Sequence, residues 1–322
     1  MTEALAAAVS EAAATLRDAE RIVALGHVGP DGDALGSALG LALAARAAGK
    51  DAVVSFGEPF VVPRAFRYLD LGPLVAPGAI SGAIDVLVAC DTADVERLGS
   101  AAALVEHAKR LVVVDHHRTN DGFGDVLVID PEAAATAQLI VAIVDALGWP
   151  LTPAAATALY TGMVTDTGRF QYSSTTPEVH RVTARLVEAG AVPDDVARHL
   201  YEEAPFGYLK VAAEVLGRAV LDAPHRLVWS VLTERDLAGA GVGYEDADGL
   251  IDLLRVAEET DVACLLKVLE PGRVKGSLRS RGRVDVAAIA VELGGGGHHN
   301  AAGFTFHGEV AEAIARITAA LA

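Results

Sequence analysis

The sequence predicts an α/β protein with two domains: an N-terminal doubly wound, mainly parallel sheet and a smaller C-terminal α/β domain. The 322 residues suit about two domains. Hydrophobic residues make up 52% of the chain, which allows large cores and argues against disorder. In the first third, short β-branched runs alternate with a helical segment, as expected for parallel strands that are buried on both faces.

Four apolar runs in the N-terminal third predict strands. The helix between the first two runs is expected over 33–50, because Gly49 is typical of a helix end. The predicted strands are RIVALGH (21–27), DAVVSF (51–56), AIDVLVACD (83–91) and RLVVVDHH (110–117).

Helices are predicted from about 134 to 220, and a second mixed pattern follows His225. The helical segments begin near Pro, Thr or Asp, which favour helix starts. We therefore expect domains at 1–205 and 225–322, joined by a linker region over 206–224. In the second domain, RLVWSVL, VACLLKVLE and RVKGSLRS predict strands, and VDVAAIAVEL and EVAEAIARITAALA predict helices.

Charge and composition exclude several classes of protein. Lys and Arg total 26 and Asp and Glu total 43, and the net charge of −17 disfavours a broad binding surface for long nucleic acids. Two cysteines are too few for a disulfide scaffold or a thiolate zinc cluster, and they indicate a reducing, cytoplasmic setting. Neither a signal peptide nor a transmembrane helix is predicted, so no membrane partner is expected.

Acids and histidines follow three of the predicted strands. Taken singly, an aspartate after a strand is often a turn former or a helix N-cap, and a histidine there can be an ordinary strand-end residue. Taken together, such groups at the ends of buried strands would be costly to desolvate without cations. The groups are His27-Val28-Gly29-Pro30-Asp31-Gly32-Asp33, then Asp91, then Asp115-His116-His117, with Asp166 after a later helix.

The donor types indicate a particular kind of metal site. Histidine nitrogen and carboxylate oxygen, without sulfur, suit manganese or another divalent ion with five or six ligands better than structural zinc. Asp31 and Asp33 can point to different ions, and Asp91 can bridge them. Two ions about 3.5–4 Å apart activate water near neutral pH and stabilise an in-line phosphoryl displacement.

Four motifs carry a resemblance to a known family. HVGPDGDALGS, VACDTAD, DHHRTN and the late GGGGHHNAAG resemble, in order and spacing, the DHH phosphoesterase superfamily with its DHH-associated C-terminal domain. The sequence is most similar to the oligoribonuclease and pAp phosphatase (nanoRNase) branch, which includes phosphodiesterases of cyclic di-AMP and pApA. One departure is the start His-Val-Gly-Pro in place of the frequent His-x-Asx-Pro.

The resemblance implies two Mn²⁺ ions and a role for each motif residue. His117 would face the substrate phosphate, and Asp115 would orient the paired histidines. The implied ligands are His27 and Asp31 at the first ion, Asp91 as the bridge, and Asp33, His116 and Asp166 at the second ion.

Substrate contacts are expected mainly from the C-terminal domain. The glycine run before His298 predicts a flexible loop that lets backbone N–H groups approach a phosphate or base, although a plain hinge or helix C-cap is the alternative. Arg279 is expected to contact the terminal phosphate or the far nucleotide, and a solvated strand edge is the alternative for its basic neighbours. The candidate contacts are Arg118, Arg279, Ser280, Gly295, Gly296, Gly297 and His298.

The resemblance predicts a manganese-dependent phosphodiesterase and phosphatase for short oligoribonucleotides, pAp, pApA and cyclic di-AMP. A cleft between the two domains would limit substrate length, and a homodimer is expected. One alternative is a family II inorganic pyrophosphatase, whose C-terminal domain uses a basic cluster that GGGGHH does not resemble. A nucleotide-binding regulator is the other, and it is disfavoured because all six implied ligands are present.

Overall fold

A computed structural model describes residues 2–247 and 249–322 of the chain. The contacts divide the chain into two compact units, 1–200 and 201–322. Within the segment predicted as a linker, the second unit forms helix α7 (Phe206–Gly217) and strand β6 (Val220–Asp222). The division of labour between a catalytic and a substrate-binding domain stays a prediction.

The first unit is built on a five-stranded sheet in which all strands are parallel, as the buried apolar runs predict. The strand order β2-β1-β3-β4-β5 reverses next to β1, and open α/β sheets bind ligands at such a switch point. Strand β5 was not predicted, because VLVI is too short to give a clear signal. The strands are β1 (Arg21–Leu25), β2 (Asp51–Ser55), β3 (Ile84–Cys90), β4 (Ala108–Asp115) and β5 (Val126–Ile129).

The described part of the first unit contains six α-helices, of which the first three contact the sheet, and the segments predicted as helices are confirmed. Thr152 and Thr176 cap two of them, since each hydroxyl accepts a backbone N–H from the first turn. The helices are α1 (Glu3–Asp18), α2 (Gly32–Ala47), α3 (Thr136–Leu147), α4 (Pro153–Asp166), α5 (Pro177–Glu188) and α6 (Pro193–Ala197).

Helices α2 and α4 lie unusually close together because glycines line their contact. A Cβ atom on Gly36 would clash with the carbonyl oxygen of Ala158, and one on Gly40 would clash with Leu159. The approach brings the first turn of α2 against the last turn of α4. Asp33 and Asp166, which are distant in sequence, therefore lie at the same end of the helix pair.

The second unit is a six-stranded mixed sheet with helices on both faces. The strand order is β10-β11-β9-β8-β7-β6, with β7 and β8 parallel and the other neighbours antiparallel. Its further strands are β7 (Leu227–Thr233), β8 (Val262–Glu270), β9 (Arg273–Ser280), β10 (Gly296–His298) and β11 (Ala301–His307), and its further helices are α8 (Glu234–Ala240), α9 (Leu250–Leu254), α10 (Val286–Glu292) and α11 (Val310–Leu321).

The glycine run of the second unit is partly a strand, so the prediction of a flexible loop there is wrong. Gly296–His298 forms β10 and pairs with β11. A Cβ on Gly295 would meet the carbonyl oxygen of Gly303, and one on Gly297 would meet that of Ala301. The glycines therefore permit a close backbone approach within a hairpin.

None of the described helices combines the length and the apolar character needed to cross a membrane.

Candidate metal centre

The predicted ligands of the first unit meet at one edge of the parallel sheet. His27 follows β1, Asp91 follows β3 and His116 follows β4, and the carboxyl ends of parallel strands share an edge. Asp91 has a left-handed backbone with φ of 57°, which is uncommon for a residue with a side chain and is frequent at functional sites. Its N–H donates to the carbonyl of Val114 at 2.9 Å.

His27, Asp31 and Asp91 form the first group of potential ligands. Their ligand atoms lie within 4.8 Å of one another. Nε2 of His27 is 3.6 Å from Oδ2 of Asp31 and 3.8 Å from Oδ2 of Asp91. Oδ1 of Asp31 caps helix α2 by accepting the N–H groups of Asp33 and Ala34, each at 3.0 Å. The cap therefore turns the second oxygen of Asp31 toward His27.

Asp33, Asp91 and His116 form the second group, and Asp166 lies beside it. Nε2 of His116 is 3.7 Å from Oδ2 of Asp33, 3.4 Å from Oδ1 of Asp91 and 3.1 Å from Oδ2 of Asp166. Nδ1 of His116 is 3.1 Å from the carbonyl oxygen of Ala133 and must donate to it, which directs Nε2 toward the carboxylates.

The two groups share Asp91, whose Oδ2 faces His27 and whose Oδ1 faces His116. The structure thus brings all six predicted ligands together and places the predicted bridging residue between the two sets. That these residues hold ions stays a prediction.

Burial and neighbouring charges shift the pKa values of residues in both groups. Burial by itself would lower the pKa of His27, but its contact with Asp31 and the negative charges of Asp31 and Asp91 raise it to about 9. Burial and repulsion from Asp91 raise the pKa of Asp33 well above its usual value. Asp33 is 0% and Asp91 2% exposed, and buried carboxylates are costly without a compensating cation. The donor set therefore fits a divalent metal ion.

Backbone groups at the start of helix α3 hold Asp33 in place. Its carboxylate accepts the N–H groups of Thr136 at 2.6 Å and Ala137 at 2.9 Å, and the hydroxyl of Ser37 at 3.1 Å. The positive end of the α3 dipole favours a carboxylate there. These contacts could not be predicted from the sequence, because a helix start does not reveal its distant partner.

Asp115 is fully buried and contacts both residues of the histidine pair. Its Oδ1 accepts a hydrogen bond from Nδ1 of His117 at 2.6 Å and from the N–H of His116 at 2.9 Å. Burial would lower the pKa of His117, but the hydrogen bond with Asp115 raises it. Asn120 donates to Oδ2 of Asp115 at 2.6 Å and to the carbonyl of Thr92 at 3.1 Å. Asn120 was missed although it lies in the DHHRTN motif.

Two predicted substrate contacts already have protein partners. Arg118 forms an ion pair of 2.6 Å with Glu132, and its side chain is 75% exposed. Ser280 is buried, and its hydroxyl oxygen accepts the N–H groups of Gly282 at 3.0 Å and Val284 at 3.4 Å. Ser280 therefore stabilises the turn after β9, and a substrate contact by either residue stays a prediction.

Arg279 and His298 lie on one face of the second sheet. Ala301 is paired in register with His298 on one side and with Arg279 on the other. Residues directly opposite each other on neighbouring strands project to the same face. Nε of Arg279 is 3.9 Å from a carboxylate oxygen of Asp252. The pairing of β10, β11 and β9 therefore places Arg279 and His298, two of the predicted substrate contacts, on the same face of the sheet.

Comparison with known proteins identifies the family of both units. The DHH family N-terminal domain matches residues 21–163, and the DHHA1 domain matches residues 227–322. The chain belongs to the DHH family and is an enzyme of the phosphoric-ester hydrolase class. It is 40% identical over 285 residues to the bifunctional oligoribonuclease and PAP phosphatase NrnA of Thermus thermophilus, covering 88% of this chain and 83% of that protein.

Further relatives support the same family. NrnA of Bacillus subtilis is 27% identical, with 87% of this chain and 88% of that protein aligned. The cyclic-di-AMP phosphodiesterase GdpP of Geobacillus thermodenitrificans is 26% identical over 88% of this chain but 44% of its own length. The crystal structure of an exopolyphosphatase-related protein from Bacteroides fragilis matches with a TM-score of 0.88 and 26% identity, covering 98% of this chain and 95% of that one. The family and fold class predicted from the sequence are confirmed.

Proposed function

We propose that this protein is a manganese-dependent phosphodiesterase and phosphatase that hydrolyses short oligoribonucleotides and small nucleotides, among them pAp, pApA and cyclic di-AMP, to mononucleotides. The observation that carries the proposal is the position of Asp91 between two sets of histidine and carboxylate donors. The names of the relatives from Thermus thermophilus and Bacillus subtilis support oligoribonuclease and pAp phosphatase activity.

Two Mn²⁺ ions are proposed to bind this centre. When bound, such ions neutralise phosphate charge and activate water for an in-line displacement. The proposed ligands are His27, Asp31 and Asp91 at one ion, and Asp33, Asp91, His116 and Asp166 at the other.

His117 is proposed to position the scissile phosphate. Because Nδ1 of His117 donates to Asp115, Nε2 is the ring nitrogen proposed to meet a phosphate oxygen. Asp115 and Asn120 act through His117 by fixing its ring. Holding a reacting group in a productive orientation can supply several kcal/mol of a reaction barrier.

The second unit is proposed to bind the far end of the substrate. Arg279 and His298 provide neighbouring donors on one sheet face, and the backbone of Gly295, Gly296 and Gly297 is proposed to contribute next to them. Substrates of two to three nucleotides are proposed to be preferred. The homodimer and the cytoplasmic location stay predictions.

Turnover of a substrate series by the purified protein with added Mn²⁺ tests the proposal. We expect phosphate release from pAp and no comparable release from pyrophosphate. Exhaustive chelation should abolish the hydrolysis of pAp and of short RNA. On 5′-labelled RNAs of two to about two dozen nucleotides, kcat/KM should be highest for the shortest and fall with length, because the acidic surface repels additional phosphates at low salt. Equal rates across the series would indicate a general exonuclease, and rapid release from pyrophosphate alone would indicate a pyrophosphatase.

A further inference from the structure

Thr136 contacts both of the buried carboxylates that belong to the second ligand group. Its hydroxyl donates to Oδ1 of Asp91 at 3.0 Å, and its backbone N–H donates to Oδ2 of Asp33 at 2.6 Å. All three residues are almost completely buried, with Thr136 at 0% exposure. A single residue at the start of helix α3 therefore fixes the distance between the two acids.

The hydroxyl of Thr136 does not serve the helix that it begins. A threonine at a helix start commonly accepts a backbone N–H from the first turn, as Thr152 does for α4. In α3 the N-cap is Ala135, and the Thr136 hydroxyl instead donates to an acid 45 positions away in sequence. Helix capping therefore does not explain this hydroxyl.

The hydrogen bond has a geometric consequence for Asp91. This residue follows strand β3 with a left-handed backbone, and its two oxygens face different ligand groups. A carboxylate held only by its own Cβ–Cγ torsion rotates over a broad range. The donor at Oδ1 restrains that rotation and keeps Oδ2 directed toward His27.

We propose that Thr136 is a positioning residue that orients the shared carboxylate of Asp91 against Asp33 and thereby raises the affinity of the centre for divalent ions. The inference rests on the proposed function only in assuming that the centre binds metal. Partners that orient metal ligands typically change metal affinity or activity ten- to a hundredfold when they are removed.

Metal binding without nucleotide provides the test. Titration calorimetry of metal-free protein with Mn²⁺ should show affinity about ten- to a hundredfold weaker for Thr136→Val and Thr136→Ala, with kcat on pAp reduced to a similar extent. Thr136→Ser keeps the hydroxyl and should bind Mn²⁺ within a few-fold of the parent. Thr183→Val is the matched control, since Thr183 is buried and its hydroxyl donates within helix α5 at 2.7 Å.

The outcomes separate this inference from the proposed function. Parent-like Mn²⁺ affinity in Thr136→Val, or in Thr136→Ala if the valine variant does not fold, would overturn the positioning role. Equal damage from Thr136→Ser would also overturn it, because the methyl group and not the hydroxyl would then matter. A parent that binds Mn²⁺ but hydrolyses neither pAp nor short RNA would reject the proposed function alone. A parent that binds no Mn²⁺ would reject both.

Discussion

Asp115 accepts the Nδ1 hydrogen of His117 at 2.6 Å with the same oxygen that accepts the backbone N–H of His116 at 2.9 Å. One buried carboxylate therefore fixes the ring of His117 and the main chain of the preceding residue, His116. The second oxygen is occupied by Asn120 at 2.6 Å, so Asp115 itself is held on both sides.

The contact between Asn120 and Asp115 predicts that Asn120→Ala lowers kcat on pAp about tenfold with little change in KM, since ring orientation and not binding is lost. Asn120→Asp should be more damaging, because it places a second negative charge beside Asp115. Steady-state kinetics of both variants check this. A kcat within a factor of two of the parent in both would show that His117 does not depend on this support.

The shared position of Asp91 predicts that Asp91→Ala is the most damaging single ligand change. Loss of a carboxylate that serves two ions should lower kcat/KM by more than about a hundredfold, because each ion supplies several kcal/mol of charge stabilisation. Turnover and Mn²⁺ stoichiometry should be measured together. Glu106→Gln, which removes an exposed negative charge, is the matched control and should behave as the parent. Asp91→Ala turnover within a few-fold of the parent would contradict the bridging assignment.

The common sheet face of Arg279 and His298 predicts that their alanine variants keep the metal centre and lose substrate affinity. Loss of a charged hydrogen bond costs about 1.5–3 kcal/mol, or roughly ten- to a hundredfold in KM. Arg273→Ala removes an exposed arginine of the same strand, which is paired with Glu270 at 3.5 Å, and should leave KM unchanged. Loss of Mn²⁺ with unchanged KM in Arg279→Ala or His298→Ala would reject the division of labour.

Alanine substitutions at two adjacent glycines are predicted to differ strongly in their effect on stability. Gly295→Ala places a methyl group against the backbone of β11 and should lower the free energy of unfolding by about 1–3 kcal/mol. A Cβ on Gly296 has open space around it, so Gly296→Ala should change stability by less than about 0.5 kcal/mol. Urea unfolding measures both. A loss of activity in a stable Gly296→Ala variant would indicate a substrate contact, and equal stability of the two variants would refute the packing argument.

The contacts of Asp85, which is not one of the predicted metal ligands, predict that the stability of the protein depends on pH. A hydrogen bond from Lys109 at 2.7 Å and the N–H groups of Arg21 and Glu20 lower the pKa of Asp85 from 3.8 to about 2. A lowered pKa in the folded state stabilises the protein fully above the unfolded value, and this stability is lost as the pH falls through the folded value. Asp85→Asn should therefore lower the urea midpoint at neutral pH. The difference from the parent should shrink between pH 4 and 2, and a constant difference would contradict the assignment.

Much of the fold and of the candidate site is predictable from sequence because the information is local. A buried parallel strand is read from a continuous β-branched run, and the acids and histidines that follow β1, β3 and β4 must lie at one sheet edge. The prediction that Asp91 is the shared residue comes from the family resemblance, and the structure places Asp91 at the end of the central strand β3.

The tertiary structure alone decided how that edge is supported. Thr136 and Ala137 donate to Asp33 across 103 and 104 positions of sequence, and no local pattern encodes such a partner. The short strands β5 and β10 are defined by their neighbours and not by their own alternation. The sequence determined which side chains are candidates for the chemistry, because donor types and strand ends are local properties. Only the packing of α2 against α4 and the contacts of the start of α3 with Asp33 and Asp91 decided their orientation, because contacts between distant segments exist only in the folded chain.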